Sequence, residues 1–356
     1  MNILVISNLF PSKRYPSFGI FVKNFCTQLT EGRCEVNLVT IKGKAGQGAQ
    51  KVARYSVFFL KVFYAILFSR YDLIYVHYGS HPLIPLAIFR CCLKKPIVIN
   101  FHGEDLVSDR GVEVFIRPYL SKLIESAALI VVPSQYFYDV FRERYANINV
   151  TISPSGGIDL SLFHPTNELA VFPRVRRIGF VARIEHGKGW RTLLKSVEDL
   201  MQYENFSFEL DVVGNGTEFS LMRSEVKARG MEKKVIFHGE LDHVELAKLM
   251  RSFHFLVIPS ELDESLGLVG IEAMSTGIPV IATDQPAFRT YIDDKVNGWL
   301  YKKSDSNELR NLLSMVLNMR LVDYLEMRNN CILKSREFDH QEVSKSLVNQ
   351  LKKLIE

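Results

Sequence analysis

Pro259-Ser260-Glu261-Leu262-Asp263-Glu264-Ser265-Leu266-Gly267-Leu268-Val269-Gly270-Ile271-Glu272-Ala273-Met274-Ser275-Thr276-Gly277-Ile278-Pro279-Val280 is the stretch on which the reading of this chain turns. The apolar run Phe255–Pro259 just before the loop has the composition of a buried strand. An acidic loop follows, Gly267 opens a helix, and Gly277-x-Pro279 stops it before a second apolar strand at Val280–Thr283. Strand, loop, helix and strand in that order make a βαβ unit, hence a parallel sheet covered by helices.

Glu264 and Glu272 stand eight residues apart in this stretch. A helix starting near Leu266 would set the two carboxylates roughly 12 Å apart along its axis, at about 1.5 Å per residue. Backbone N–H groups near Gly267 would point out between them. That layout suits a ligand with polar groups at both ends and an anion in the middle, as in a nucleotide sugar. A surface helix with exposed glutamates has the same spacing, but Gly270, Ala273 and Met274 mark a closely packed helix and bring Glu272 near a cleft.

The same rhythm extends in both directions. Upstream, strands read at Ile178–Ala182, Phe208–Val213 and Val235–Phe237 with helices between them. Before a polar stretch at Thr166-Asn167-Glu168, another series reads at Ile3–Ser7, Val36–Thr40, Leu73–His77, Ile97–Phe101, Leu129–Pro133 and Asn149–Ser153. Helical patterns fall near 18–30, 50–69, 82–93, 113–127 and 135–145, and from about 305 onward the chain reads as helix. A length of 356 residues accommodates two such α/β domains. Two doubly wound domains place ligands at the carboxyl ends of their strands, in the cleft between them.

Four further loops follow strands. Pro16-Ser17-Phe18-Gly19-Ile20-Phe21-Val22 combines a glycine with a helix start that offers free N–H groups, although an ordinary turn has the same look. Phe101-His102-Gly103-Glu104-Asp105 sets a histidine beside a glycine at a strand end, whereas His77 and His81 lack any such supporting motif. Phe180-Val181-Ala182-Arg183-Ile184-Glu185-His186-Gly187-Lys188-Gly189-Trp190 carries two cations at the entrance to a helix, a diphosphate clamp that needs no metal. Leu210-Asp211-Val212-Val213-Gly214-Asn215-Gly216 is an incomplete dinucleotide fingerprint, with Phe219 where the third glycine would stand.

Composition excludes disorder and collagen-like repeats, since 47% of residues are hydrophobic with 21 Gly and 13 Pro. The net charge of +5 is too mild for a nucleic-acid binder. It also conceals an asymmetry. The first 95 residues carry thirteen Lys and Arg against three acids, a surplus of +10, and the remainder is −5. Five cysteines, an odd number without any Cys-x-x-Cys, read as reduced thiols of a cytoplasmic protein. The chain enters a strand directly at Met1-Asn2-Ile3, with no signal peptide expected. The apolar stretch Val57–Phe68 falls short of the about 20 residues a membrane span needs. Lys51, Arg54, Phe58, Phe59, Lys61 and Phe63 lie on a basic, aromatic helical segment of the kind that rests on an anionic membrane surface. A core helix with a few exposed lysines is the alternative.

Taken as a set, these motifs resemble the retaining glycosyltransferases of family four. The likeness rests on the Glu-x7-Glu pair Glu264–Glu272 with Ala-Met and Gly-x-Pro after it, on Arg183 with Lys188-Gly189, and on Val213-Gly214-Asn215-Gly216, Phe237-His238-Gly239 and Asn297-Gly298-Trp299-Leu300. In the first half it includes Gly19-Ile20-Phe21-Val22, His102-Gly103-x-Asp105 and Ser155-Gly156-Gly157-Ile158-Asp159 before Phe163-x-Pro165. Phe18 in place of a first-loop glycine, Ala182 before Arg183, and Ser155 where Asn is common depart from the pattern.

The resemblance implies the GT-B fold: an α/β chain of two Rossmann-like domains facing a central cleft. The first would span 1–165 and bind the acceptor, the second 166–337 and bind the donor, with 338–356 returning to the first. It implies transfer from a UDP- or GDP-sugar with retention and without metal, to a lipid-linked or oligosaccharide acceptor in cell-surface polysaccharide synthesis (lipopolysaccharide, capsule or exopolysaccharide). Arg183 and Lys188 would hold the diphosphate, Glu264 the sugar hydroxyls and Glu272 the ribose. Gly267 and Leu268 would offer N–H groups, and Gly19 and Gly214 would line the donor site. His102 would sit near the anomeric carbon and Asp105 on the acceptor side. The location implied is the cytoplasm, on the inner face of the membrane. A GT-B nucleotide-sugar epimerase, a Rossmann oxidoreductase or a non-catalytic nucleotide-sugar binder are the competing classes.

Overall fold

The computed structural model describes residues 1–15, 18–107, 112–166, 175–203 and 207–356. Pro16 and Ser17 of the first loop, and Asn167 and Glu168 of the expected domain boundary, lie outside the described residues. The chain folds as two units, Met1–Gly157 with His340–Glu356, and Ile158–Asp339.

The first unit holds six parallel strands: β1 (Asn2–Ser7), β2 (Glu35–Thr40), β3 (Leu73–His77), β4 (Ile97–Asn100), β5 (Leu129–Val132) and β6 (Val150–Ile152). Their order is β2-β1-β3-β4-β5-β6, so the winding reverses between β1 and β3. Alternate residues serve opposite faces of this sheet, as a period of two demands. Leu4 and Ile6 pack with Phe58 and Val62 of the helix Gly48–Phe68. Ile3 and Val5 pack on the other face with Phe25 and Leu29 of the helix Ile20–Glu31, and with Leu347, Val348 and Leu351. Those last three belong to the helix His340–Lys353, which is part of the first unit.

The second unit holds β7 (Arg176–Val181), β8 (Phe208–Val213), β9 (Val235–Gly239), β10 (Phe255–Ile258), β11 (Val280–Thr283) and β12 (Gly298–Tyr301), also parallel. The order β12-β11-β10-β7-β8-β9 is that of a dinucleotide-binding sheet, with its switch point between β7 and β10.

Three expectations are corrected. The first unit ends at Gly157 and not at 165, because Ile158 and Phe163 bury their side chains with Phe288, Tyr291 and Phe338 of the second unit. The second sheet has a sixth strand, β12, which opens on Gly298 directly after Asn297, a pair that reads as a turn. The helix expected over 82–93 is broken into Ile84–Ile88 and two short 3-10 turns, since Pro82 and Pro85 each lack an N–H to donate.

Candidate functional site

The switch point of the second sheet gathers residues that are far apart in the sequence. Lys188 follows β7, Glu264 follows β10, and Lys188 Nζ lies 2.6 Å from Glu264 Oε1. Their side chains are only 17% and 19% exposed, so the pair is largely withdrawn from water. Gly189 makes this approach possible. Its φ is +71°, and a Cβ there would lie 1.7 Å from the carbonyl oxygen of Pro259. Ser260 Oγ donates to the same Glu264 oxygen at 2.7 Å, and the Glu264 backbone N–H donates to Gln285 Oε1 at 2.9 Å. Gln285 is buried, and its amide donates onward to Thr283 Oγ1 at 2.8 Å and to the Ser260 carbonyl at 3.3 Å.

Arg183 stands on the same loop but extends into solvent, 73% exposed, and pairs with Glu185 at 3.1 Å. The two cations of the expected clamp therefore each hold an acid of their own. An ammonium has three donors, so Lys188 can hold Glu264 and an anion together. The loop is stitched to the one after β8: the Ile184 N–H donates to the Asn215 carbonyl at 3.0 Å, and Gly214 leaves room for the Ala182 carbonyl.

The helix of the Glu-x7-Glu stretch spans Leu268–Ser275, with Gly267 as its left-handed N-cap at φ 74°. It starts two residues later than expected, because Leu266 is drawn fully into the core. Glu264 thus sits on the loop, and the carboxylate spacing expected along a helix axis does not apply. Tyr291 Oη donates to the Gly267 carbonyl at 3.1 Å, and Asn297 Nδ2 holds the Tyr291 carbonyl at 3.0 Å. Arg328 closes the helix by donating to the carbonyls of Thr276 and Gly277, 3.1 Å each. Burial pushes the Glu272 carboxyl up to about 7. His238 has a structural place, since its Nε2 lies 2.7 Å from Asp211, a buried carboxylate that Arg177 also holds.

In the first unit, Gly19 caps the helix Ile20–Glu31 with φ +72°, and a Cβ there would meet the Leu9 backbone at 2.6 Å. His102 follows β4, and its Nε2 lies 3.1 Å from Nδ1 of His77, the last residue of β3. The Phe21 ring packs on His102 with centroids 4.4 Å apart. Burial lowers His102 to about 4 and His77 well below its ordinary value, so both rings are neutral near pH 7. His77 carried no motif, and only the sheet register, which aligns His77 with Asn100, brings it to His102.

Asp105, expected to face an acceptor, is buried. Its carboxylate accepts the His102 N–H at 2.8 Å and the Gly79 N–H at 2.6 Å, and burial raises it to about 6. It ties two loops together instead.

The residues named for membrane docking divide. Lys51 and Lys61 are exposed, while Arg54 donates to the carbonyls of Lys42 and Lys44. Phe58 is buried in the core and does not dock; Phe59 and Phe63 are half-buried, Phe63 against Phe89. The exposed apolar face of this helix is Val57, Leu60, Tyr64, Leu67 and Phe68, which recur at helical spacing. Among the described residues no helix is long and apolar enough to cross a membrane, and no cluster of three or more His, Cys, Asp or Glu could hold a metal ion.

Two family models match the chain, one for Glycosyltransferase Family 4 over residues 16–161 and one for Glycosyl transferases group 1 over 167–338. The chain belongs to the GT4-type glycosyltransferases. This glycosyltransferase is 29% identical over 252 residues to the phosphatidyl-myo-inositol mannosyltransferase of Mycobacterium leprae, an alignment covering 69% of this chain and 64% of that one. It is 24% identical over 355 residues to an uncharacterized glycosyltransferase of Methanocaldococcus jannaschii, covering 94% of each. Its fold matches sucrose-phosphate synthase from Thermosynechococcus elongatus with a TM-score of 0.80, at 19% identity over 99% of both chains. It also matches Anabaena HepE in complex with UDP, with a TM-score of 0.78 at 19% identity over 99% of this chain and 100% of that one. The two parallel α/β units of the GT4-type chain are thus those of the GT-B fold.

Proposed function

We propose that this glycosyltransferase moves a sugar from a UDP- or GDP-sugar to a glycan acceptor, with retention of configuration and without a metal ion. The observation that carries the reading is the Lys188–Glu264 pair at the switch point of the second sheet, beside the N-terminus of the helix Leu268–Ser275. Lys188, Arg183 and the N–H groups at Gly267 and Leu268 stabilise the departing diphosphate, a fixed set of donors aimed at developing negative charge. Glu264 accepts hydrogen bonds from the sugar hydroxyls, Glu272 from the ribose, and His102 meets the transferred sugar. The bond from the anomeric carbon to the phosphate oxygen breaks, and the acceptor oxygen bonds to that carbon from the same face. The acceptor's hydroxyl proton passes to the leaving phosphate oxygen.

The UDP complex of HepE supports a nucleotide-sugar donor. A Klebsiella pneumoniae relative, 24% identical over 277 residues, is described as a protein in a cps region, which supports a place in surface polysaccharide synthesis. Two relatives are named for lipids, phosphatidyl-myo-inositol and monoglucosyldiacylglycerol. The acceptor proposed here is accordingly lipid-linked. In this reading the protein works in the cytoplasm on the inner membrane face, resting on the exposed apolar side of Gly48–Phe68 with Lys51 and Lys61 toward anionic headgroups. A thermal-shift panel of UDP- and GDP-sugars tests the donor, followed by nucleotide release with candidate acceptors; no stabilisation by any of them would refute the reading.

A further inference from the structure

We propose that His77 is a positioning residue: it donates its Nδ1–H to His102 Nε2 and thereby holds His102 in the tautomer whose only proton is on Nδ1. The inference rests on His102 meeting the donor, as proposed above.

The geometry fixes the direction of the shared proton. His77 Nδ1 and His102 Nε2 are 3.1 Å apart, and a bond between two neutral imidazoles contains one N–H. Which ring supplies it depends on the nitrogens left over. His77 is 1% exposed, and its Nε2 has no hydrogen-bond partner among the described residues. A buried orphan N–H is rarer and costlier than a buried lone pair without a donor. The His77 proton therefore belongs on Nδ1, where it has an acceptor, and Nε2 keeps the lone pair.

The surroundings hold both rings neutral and still. Phe25 stands edge-on to His77 with centroids 4.7 Å apart, and Tyr75 lies 5.0 Å away, so a second proton on this ring has no counter-charge. Phe21 covers His102, while Asp105 fixes its backbone N–H. Those two contacts place the residue, but neither selects a ring nitrogen. That selection falls to His77, by the same logic by which a second partner sets the tautomer of a working histidine. His102 is then left with one N–H, at Nδ1. A ligand with a lone-pair oxygen fits it; a ligand offering a donor does not. Leu347 and Val348 of the returning helix line the cavity of about 20 Å³ beside His77.

The test is ring 15N spectroscopy of the full chain labelled at its nine histidines. His102 is assigned by the signals lost in His102→Gln. The expected result is a pyrrole-type Nδ1 and a pyridine-type Nε2 for His102 at pH 7.5, collapsing to an averaged pair in His77→Leu. His77→Asn, whose amide N–H can stand where the Nδ1–H stood, restores the native pattern. A proton found on His102 Nε2 in the native protein overturns the proposal without reference to any variant. So does an unchanged His102 in a folded His77→Leu protein. In turnover of UDP-glucose or GDP-mannose, His77→Leu lowers kcat about tenfold with the donor KM within twofold, and His77→Asn recovers most of it. If neither nucleotide sugar is turned over, the reaction proposed above fails, while the ring spectrum still decides the role of His77.

Discussion

Lys188 and Glu264, 76 residues apart in sequence, meet at 2.6 Å because the strands that precede them, β7 and β10, are neighbours in the sheet. In the proposed reaction one pair orients two parts of a donor, the cation toward phosphate and the carboxylate toward sugar. Lys188→Ala should lower turnover by about 10²–10³, the loss expected for one aimed charge stabiliser. Glu264 keeps Ser260 as a partner, so the fold should survive, at a cost of about 1–3 kcal/mol in urea unfolding. Near-normal turnover in folded Lys188→Ala would remove the lysine from the mechanism.

Gln285 should matter as much as residues that touch ligand. Gln285→Leu strips a partner from the Glu264 N–H, the Ser260 carbonyl and the Thr283 hydroxyl at once. The expected loss is about 1–3 kcal/mol of stability, with donor affinity falling in the same protein. Calorimetry against UDP would show affinity unmoved if the loop does not need this tether.

Glu272 should make stability depend on pH, and donor binding too in the proposed role. Its folded value near 7 lies above the ordinary 4.5, so the folded state binds more protons between them. The stability it contributes is complete below about 4.5 and is lost as pH rises through 7. Glu272→Gln, which keeps the shape and removes the buried charge, should therefore stabilise the protein at pH 8 by about 1–3 kcal/mol. If the carboxylate accepts ribose hydroxyls, donor affinity in the native protein should weaken as pH falls from 8 to 6 and be flat in the variant. Parallel pH profiles for the two proteins would separate Glu272 from ribose binding.

The helix Gly48–Phe68 gives a contrast between two faces. Phe58→Ala should cost about 3–5 kcal/mol, as a large side chain lost from a core. Leu60→Ala should fall within about 0.5 kcal/mol of native. The double variant Leu60→Asp, Phe68→Asp should fold normally and lose most co-flotation with anionic liposomes, while neutral liposomes capture neither protein. Equal flotation of the double variant would place the membrane contact elsewhere.

The sequence made the second unit readable where chemistry and local pattern coincide. A strand end, a charge and a glycine in succession mark Lys188 and Glu264, because the fold puts ligands at strand ends. Gln285, Ser260 and Tyr291 escaped notice since they act on backbone groups, a task with no spacing of its own. Asp105 is hard to read for the same reason: a carboxylate beside a histidine looks the same whether it faces a ligand or two backbone N–H groups. In Val57-Phe58-Phe59-Leu60, four apolar residues in a row hide the helix phase, so the buried Phe58 and the exposed Leu60 could be told apart only once the sheet was in place.

The helix His340–Lys353 also bears on how the protein is made. The segment Ile158–Asp339 is continuous and can fold as soon as it leaves the ribosome. The first unit, begun 157 residues earlier, lacks Leu347, Val348 and Leu351 until the chain has passed residue 351, and until then Phe25 and Leu29 have no cover on that side. The domain translated first is the one completed last, and a nascent chain halted between the two would carry an open apolar surface for a chaperone to find.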